Sequence, residues 1–324
     1  MCIRDRDYVT STNWFKERYE ALAEFSDGYA ADSPITVWGY QTSPYDWGTD
    51  VPTEAIIDGR LALLGYRFEP QVITPGEDIY LTLYMQALEP VEKGFHTGVH
   101  LTSPDGWVWA WMEAQMPRSL PGGWWEPGQV TAERYLLETT EDIPLVAYNL
   151  QVFWRNPLNK TELPLFRDGD QNVLDRVQLG YVIAPPVVDD SQATAVGGQF
   201  GQAIILPKVA AEPQRPSPGE TLAVTLFWDA LAQPQEDYTV FVHLVNENGE
   251  LITSSDGMPV ENRFPTTAFF PGHIVADRHT LQLPPDLAPG DYQLKVGLYL
   301  LETGERLPVW DAAGEEQPDR TLGV

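Results

Sequence analysis

An internal repeat is the feature of this sequence that most constrains its fold. Pro75-Gly76-Glu77 recurs as Pro218-Gly219-Glu220, 143 residues further along the chain. From Pro75 to Leu88, 7 of 14 positions are identical in the second segment, whereas unrelated sequences of ordinary composition share about one position in sixteen. Further matches continue at offsets of 143 and 144 residues as far as Leu307-Pro308. This period is much longer than the ~20–50 residues of solenoid repeats, so it predicts two copies of one domain.

The repeat divides the 324 residues into four segments. Residues 56–183 and 199–324 are the two copies, and residues 184–198 (APPVVDDSQATAVGG) have the Pro, Asp and Gly content of an exposed linker. Residues 1–55 are too few for a typical domain. We interpret them as the end of an upstream unit or an addition packed on the first copy. Within them, a helix from Ser11-Thr12-Asn13 to about Phe25 is expected, between strands at 8–10 and 35–38.

Both copies have the hydrophobic pattern of β-structure. Apolar residues take every second position in one segment of each copy: Ile79, Leu81, Leu83 and Met85 in the first, and Leu222, Val224, Leu226 and Trp228 in the second. Such alternation indicates half-buried strands. Turn pairs such as Asp105-Gly106 and Asn248-Gly249 separate about 7–8 strands per copy. The predicted fold class is all-β: two tandem antiparallel β-sandwiches, immunoglobulin-like or jelly-roll-like, after a short α/β segment.

The charge and cysteine content exclude several functions. With 47 acidic and 20 basic residues the net charge is −27, which opposes binding to nucleic acid or to an anionic membrane surface. Acidic residues are in excess in every segment, so the charge marks exposed surface rather than a specific site for a cation.

The single cysteine, Cys2, cannot form an internal disulfide. The first residues contain no apolar signal-peptide core, and no uncharged stretch is long enough to span a membrane. Any membrane anchor is therefore expected upstream of this sequence.

Several segments resemble a known family. They are IIDGRLALLGYRFEP and PGEDIYLTLYMQAL in the first copy, and PSPGETLAVTLFWDAL, DYTVFVHLVNENGE and PGDYQLKVGLY in the second. They resemble the C-terminal β-sandwich region after the membrane part of bacterial glycosyltransferases similar to dolichyl-phosphate-mannose-protein mannosyltransferases (glycosyltransferase family 39). DYVTSTNWFKERYE resembles the stretch between the membrane helices and the sandwiches of such proteins.

The resemblance implies a context rather than a reaction. The acidic catalytic residues of the family lie in its membrane part and have no counterpart in this sequence. The chain is therefore expected to be a non-catalytic, extracytoplasmic part of a cell-envelope glycosyltransferase. Its expected partners are the membrane domain of the same parent chain and a glycan or envelope polymer.

Tryptophans that occur in one copy only are the best candidates for a functional surface. Trp107, Trp109 and Trp111 alternate along one predicted strand and so are expected to share a face. The corresponding residues of the second copy are Glu250, Ile252 and Ser254, and Trp124 corresponds to Ala268. Exposed aromatic rings stack on sugars or anchor a partner surface. Alternatively, these side chains pack against residues 1–55 or against the second sandwich.

One segment has the pattern of a partial calcium loop. Asp168, Asp170 and Asn172 place oxygen ligands at relative positions 1, 3 and 5. Val173 stands where an EF-hand has Gly, and Leu179 stands where it has Glu. The segment is therefore either a calcium site or an acidic hairpin turn, and calcium is the one candidate cofactor.

Histidine and acidic residues are present at equivalent positions in both copies. They are His100 and His243, Glu113 and Asp256, and Glu133 and Asp277. The histidines are candidate metal ligands or general bases, and two carboxylates ~5–10 Å apart across a cleft would suit glycoside hydrolysis. Because both copies carry them, structural hydrogen bonds or pairing with Arg134 and Arg278 are the favoured interpretation. Two alternatives to the glycosyltransferase appendage remain: a stand-alone surface carbohydrate-binding or adhesion module, and an acid glycosidase.

Overall fold

The computed structural model of the chain describes residues 21–26, 36–40, 51–92, 95–116, 124–156, 158–167, 173–187 and 189–324. The predicted all-β class, with antiparallel sandwiches, is confirmed. A helical turn at Pro259–Asn262 and a 3₁₀ turn at Thr266–Ala268 are the helical elements described here. No helix of the described ranges is long and apolar enough for a membrane span.

Sandwich 1 (residues 51–183) consists of two facing sheets. From residue 21 to the end of sandwich 1, the described strands are β1 (Ala21–Ser26), β2 (Thr36–Tyr40), β3 (Val51–Ile57), β4 (Leu61–Glu69), β5 (Ile79–Ala87), β6 (Val91–Glu92), β7 (Phe95–Thr102), β8 (Val108–Met116), β9 (Trp124–Trp125), β10 (Val130–Leu137), β11 (Ala147–Arg155), β12 (Leu165–Arg167), β13 (Val173–Leu174) and β14 (Val177–Ile183). The larger sheet has the order β10-β5-β4-β3-β12-β13, and the smaller sheet has the order β14-β11-β7-β8. Two small sheets, β1-β2 and β6-β9, accompany them.

Sandwich 2 (residues 194–324) repeats this strand order. Its strands are β15 (Thr194–Phe200), β16 (Ile204–Glu212), β17 (Thr221–Ala230), β18 (Tyr238–Val245), β19 (Leu251–Gly257), β20 (Val275–Gln282), β21 (Gln293–Leu300), β22 (Val309–Trp310) and β23 (Leu322–Gly323). The sheets are β20-β17-β16-β15-β22 and β19-β18-β21-β23. Each strand lies where its counterpart lies in sandwich 1, so the sequence repeat corresponds to a repeat of topology.

The predicted alternation of apolar side chains builds both cores. Ile79, Leu81, Leu83 and Met85 on β5 are at most 1% exposed. They pack with residues of the facing sheet, such as Val99 and Leu101 on β7. In sandwich 2 the same role falls to Leu222, Val224, Leu226 and Trp228 on β17, which pack with Val240 and Val242 on β18. Because one face of each sheet lies in the core, the opposite face is available to solvent.

Two strands extend across the predicted segment boundaries. Strand β15 begins at Thr194, inside the segment predicted as linker, and pairs with β16 and β22. The glycines that suggested a loop form a bulge instead, because Gly197 has φ +64° and Gly198 packs against Leu322. Strand β3 likewise starts before residue 56, at Val51.

The predicted N-terminal helix does not extend to Phe25. Residues Ala21–Ser26 form β1, which pairs antiparallel with β2 at Thr36–Tyr40. Inter-strand hydrogen bonding thus replaces the helix that was expected at residues 21–25. Strand β2 overlaps the strand predicted at 35–38, whereas the predicted strand at 8–10 and the start of the helix lie outside the described residues.

The two sandwiches share a junction at the end of β14. Ile183 is fully buried and belongs to the core of sandwich 2. Its backbone N–H donates to Gln71 (2.8 Å), and its carbonyl accepts from Ile73 (2.9 Å). The Ala147 amide donates to the carbonyl of Arg263 in sandwich 2 (3.2 Å). The backbone hydrogen bond from Ala147 to Arg263 and a shared apolar cluster that includes Ala147 and Ile183 therefore hold sandwich 1 against sandwich 2.

Candidate functional site

The candidate site lies on the outer face of the smaller sheet of sandwich 1. One row of directly opposed residues crosses all four strands of this sheet: Trp111 on β8, His100 on β7, Gln151 on β11 and Gln178 on β14. Opposed residues on one face have Cβ atoms ~4.5–5.5 Å apart. An aromatic ring and three side chains with hydrogen-bonding groups thus lie side by side on one surface.

The tryptophan surface (Trp107, Trp109 and Trp111) is open to solvent. The exposed fractions are 69% for Trp107, 36% for Trp109 and 67% for Trp111. Neither Trp107 nor Trp111 is therefore packed against the second sandwich or against the described part of residues 1–55. Packing against residues 1–20, 27–35 or 41–50 concerns positions outside the described residues. For Trp124 the structure describes only the backbone, which pairs with Glu92 between β9 and β6.

A bulge modifies the predicted alternation of the tryptophans. Strand β8 begins at Val108, and its register against β7 shifts between Leu101 and Thr102. Trp107 therefore precedes the strand, and its carbonyl accepts the Ser103 amide (2.9 Å). The indole Nε1 of Trp109 donates to the hydroxyl of Ser103 (3.0 Å). Trp111 lies on the outer face opposite His100, Trp109 is the extra residue of the bulge, and Trp107 directly follows the Ser103–Gly106 turn.

Phe153 supports the His100 and Arg176 side chains of the site. It lies opposite Gly98, in the row of opposed residues next to the one that contains His100. Its ring lies over Gly98, the residue opposite it on β7. The ring of His100 meets Phe153 edge-on, with 4.8 Å between centroids. The guanidinium of Arg176 lies over the Phe153 ring, 4.5 Å from its centroid. Phe153 is 3% exposed, so this ring fixes the positions of the histidine and the arginine.

Ion pairs hold the remaining charged groups of this face. Glu113 accepts from Nε of Arg155 (2.7 Å) and contacts Nδ1 of His96 (2.6 Å). Arg176 donates to Glu162 (3.2 Å) and to Nδ1 of His100 (2.8 Å). Burial, followed by the charges of Arg176 and Arg155, lowers the pKa of His100 to about 4. His100 is therefore neutral at physiological pH.

Sandwich 2 has the supporting cluster but lacks the tryptophans. Phe241 lies opposite Gly297 and covers it, and Arg306 lies 4.5 Å from the Phe241 centroid. Ser254 stands where sandwich 1 has Trp111, opposite His243. The aromatic-arginine-histidine cluster is thus common to both sandwiches, and the exposed indoles are particular to sandwich 1.

The acidic residues considered for glycoside hydrolysis do not face each other. Glu133 is 1% exposed on β10, where its neighbours Thr131 and Tyr135 are also buried. Glu113 lies on the outer face of the opposite sheet, so the core separates the two carboxylates. Asp277 in sandwich 2 is equally buried, whereas Asp256 is partly exposed. This arrangement does not favour the glycosidase interpretation.

Asp277 has a structural role in sandwich 2. Its carboxylate accepts hydrogen bonds from the Val260 amide (2.9 Å), from Nε2 of His279 (2.8 Å) and from Nε1 of Trp228 (3.3 Å). Val260 has φ +54°, a conformation that β-branched residues rarely adopt. The buried carboxylate therefore stabilises the turn at Pro259–Asn262.

The three residues of the predicted calcium loop, Asp168, Asp170 and Asn172, lie outside the described residues. Calcium binding therefore stays a prediction. Within the described ranges, no group of three or more His, Cys, Asp or Glu side chains is arranged to hold a metal ion. Calcium titration followed by thermal unfolding tests the prediction, and an unchanged melting temperature would contradict it.

Sequence reasoning missed the residues that surround the tryptophan surface. Gln151 and Phe153 lie on β11, and Arg176 lies directly before β14. All three are distant in sequence from Trp111, so spacing could not associate them with it. The repeat alignment does hold one signal. Gly98 aligns with Phe241, and Phe153 aligns with Gly297, an exchange that indicates contact between the two positions.

No protein-family model matches the chain, and no curated protein matches it. One solved structure that matches is the crystal structure of the C-terminal domain of wzt. That match has a TM-score of 0.28 and 11% sequence identity, and it covers 42% of this chain and 87% of the other. At this score the likeness supports no argument about function.

Proposed function

We propose that the chain is a non-catalytic carbohydrate-binding module whose ligand stacks on the tryptophan surface of sandwich 1. One observation carries the proposal. Trp107 and Trp111 each expose about two thirds of their surface, Trp111 stands at the end of a row of side chains with hydrogen-bonding groups, and sandwich 2 has no such indoles. Scattered exposed apolar residues are ordinary, whereas a group of exposed indoles beside polar groups indicates a binding surface.

The chemistry of this surface suits sugar rings. A pyranose has an apolar face of C–H groups and an edge of hydroxyl groups. Covering roughly 80 Å² of apolar surface between such a face and an indole would contribute about 2 kcal/mol. The side chains of His100, Gln151 and Gln178 lie in the same row to meet the hydroxyl edge. The site is an open sheet face, so a chain of sugar units is a better fit than a single enclosed sugar.

The proposed setting is the cell envelope. The sequence resemblance supports an extracytoplasmic part of a membrane glycosyltransferase, in which the module would position a glycan or acceptor near the membrane domain. The separation of Glu113 from Glu133 by the core of sandwich 1 supports a binding role over hydrolysis. A stand-alone surface-binding module would use the same tryptophan surface, and upstream sequence distinguishes the two settings.

Affinity electrophoresis tests the proposal. The purified chain is run in native gels containing yeast mannan, dextran, polygalacturonate or bacterial peptidoglycan fragments. We expect at least one polymer to retard the chain, and Trp111→Ala to weaken binding by about tenfold or more. Tyr80→Ala is the matched control, because Tyr80 is 58% exposed on the other sheet of the same sandwich. Equal retardation of both variants would contradict the proposal, as would no retardation of the parent by any polymer.

A further inference from the structure

We infer that His100 is a specificity-determining residue of the tryptophan surface, presenting Nε2–H to an acceptor oxygen of the sugar that stacks on Trp111. The inference rests on the proposed function and concerns the same surface. It follows from the hydrogen bond between Arg176 and His100, from the position of His100 opposite Trp111, and from a difference between the two sandwiches.

Arg176 determines which nitrogen of His100 carries the proton. A guanidinium has only N–H donors and no acceptor. Arg176 lies 2.8 Å from Nδ1 of His100, so Nδ1 must accept and cannot be protonated. A neutral imidazole with a bare Nδ1 carries its hydrogen on Nε2. The lowered pKa of His100, which its burial and the nearby Arg176 and Arg155 cause, agrees with this neutral form.

The Nε2 donor of His100 is available to a ligand. Among the described residues, the structure shows no hydrogen-bond partner for this atom, and His100 remains partly exposed. The edge-on contact with Phe153 holds the imidazole plane. A donor in a fixed orientation beside an exposed ring matches the two kinds of contact that a stacked sugar offers.

The equivalent histidine of sandwich 2 is differently engaged. Nε2 of His243 lies 3.7 Å from the carboxylate of Asp256. In sandwich 1 the residue equivalent to Asp256 is Glu113, and its carboxylate binds Arg155 and His96 instead. The carboxylate that faces the histidine in sandwich 2 is thus turned to other partners in sandwich 1. The sandwich that has the tryptophans is also the sandwich that leaves its histidine donor available.

The assignment limits the class of ligand. Nε2–H pairs with a hydroxyl, ring or carbonyl oxygen, and it cannot pair with an ammonium group, which has only donors. Arg176 adds an unfavourable positive charge for such a group. Neutral, acetylated and acidic sugars are therefore expected to bind, and sugars with a free amino group at the contacting position are expected to be excluded.

Two measurements on the full chain test the inference. Long-range ¹H–¹⁵N correlation of the histidine rings at pH 7 is expected to show His100 with Nε2 protonated and Nδ1 bare. Arg176→Met, which keeps an apolar chain over Phe153, is expected to give a mixture of tautomers. A His100 ring with its proton on Nδ1 would overturn the inference whatever the binding results.

Binding then separates this inference from the proposed function. In the gels with mannan, dextran, polygalacturonate and peptidoglycan fragments, His100→Leu is expected to weaken retardation about tenfold. His100→Gln retains a donor near the Nε2 position and is expected to restore most of the binding. If Trp111→Ala weakens binding but His100→Leu does not, the inference fails and the proposed function stands. If no polymer retards the parent chain, both fail.

Discussion

The ring of Phe153 on β11 covers Gly98 on β7 so closely that a Cβ atom on Gly98 would lie 2.2 Å from Cζ of Phe153. In sandwich 2 the two residue types are exchanged between the strands. Phe241 is on the strand equivalent to β7, Gly297 is on the strand equivalent to β11, and the same clash distance of 2.2 Å is found. Each sandwich thus places one phenylalanine ring in the same position from opposite strands. This ring supports an arginine and a histidine in both cases.

We predict that the two positions are strongly coupled in stability. Gly98→Phe alone forces two rings into one space and is expected to lower the free energy of unfolding by about 3 kcal/mol or more. The double variant Gly98→Phe with Phe153→Gly recreates the arrangement of sandwich 2. It is expected to be more stable than Gly98→Phe alone, as measured by urea unfolding. Gly290→Ala, where a Cβ meets nothing closer than 3.9 Å, is the control. Additive effects of the two changes would contradict the coupling.

Asp277 is expected to be essential for the stability of sandwich 2. Asp277→Ala removes the acceptor of three donors: the Val260 amide, His279 Nε2 and Trp228 Nε1. Each buried donor left without a partner costs about 1–3 kcal/mol, so a total loss above about 3 kcal/mol is expected in urea unfolding. Asp256→Ala is the matched control. Its side chain is 39% exposed, and a change of less than about 1 kcal/mol is expected. A similar cost for both variants would refute this role.

His100 is expected to make stability depend on pH. Its pKa is about 4 in the folded chain, compared with a usual value of 6.5. Between these two values the unfolded chain binds a proton that the folded chain does not, so stability falls as pH decreases from about 6.5 towards 4. Because His100 is partly exposed, we expect a contribution on the order of 1–2 kcal/mol.

The pH effect is measured as a difference between variants. Unfolding free energies of the parent chain and of His100→Gln are compared from pH 7.5 to pH 4. The parent is expected to lose stability relative to the variant only below about pH 6.5. Parallel curves over the whole range would show that His100 does not titrate as the structure indicates.

Much of the fold could be predicted because local pattern and long-range packing agree. On β5, the alternating residues Ile79, Leu81, Leu83 and Met85 all enter the core, as period-two spacing requires. The start of sandwich 2 could not be predicted, because two consecutive glycines, Gly197 and Gly198, are typical of a loop. In the structure they form a bulge within β15. The close approach of Ala312 to Gly197 and of Leu322 to Gly198 comes from residues more than a hundred positions away.

The candidate site could be predicted only in part for the same reason. The contrast with Glu250 and Ser254 in the repeat identifies Trp107 and Trp111 as candidates, but it leaves open whether their rings are exposed or packed. The bulge at Trp109 and the position of Arg176 over Phe153 depend on strand pairing and turn geometry, which no local pattern encodes. His100 was singled out by duplication, but its tautomer is visible only once Arg176 is placed beside it.

The most direct test of the central claim is a glycan-array measurement on the intact chain. The parent, the double variant Trp107→Ala with Trp111→Ala, and the control Tyr80→Ala are compared on one array of neutral, acetylated and acidic oligosaccharides. We expect the parent and Tyr80→Ala to bind the same set of glycans, and the double variant to lose that binding while it unfolds at the parent's urea midpoint. Glycan binding that survives in the double variant, or a parent chain that binds no glycan, would contradict the account.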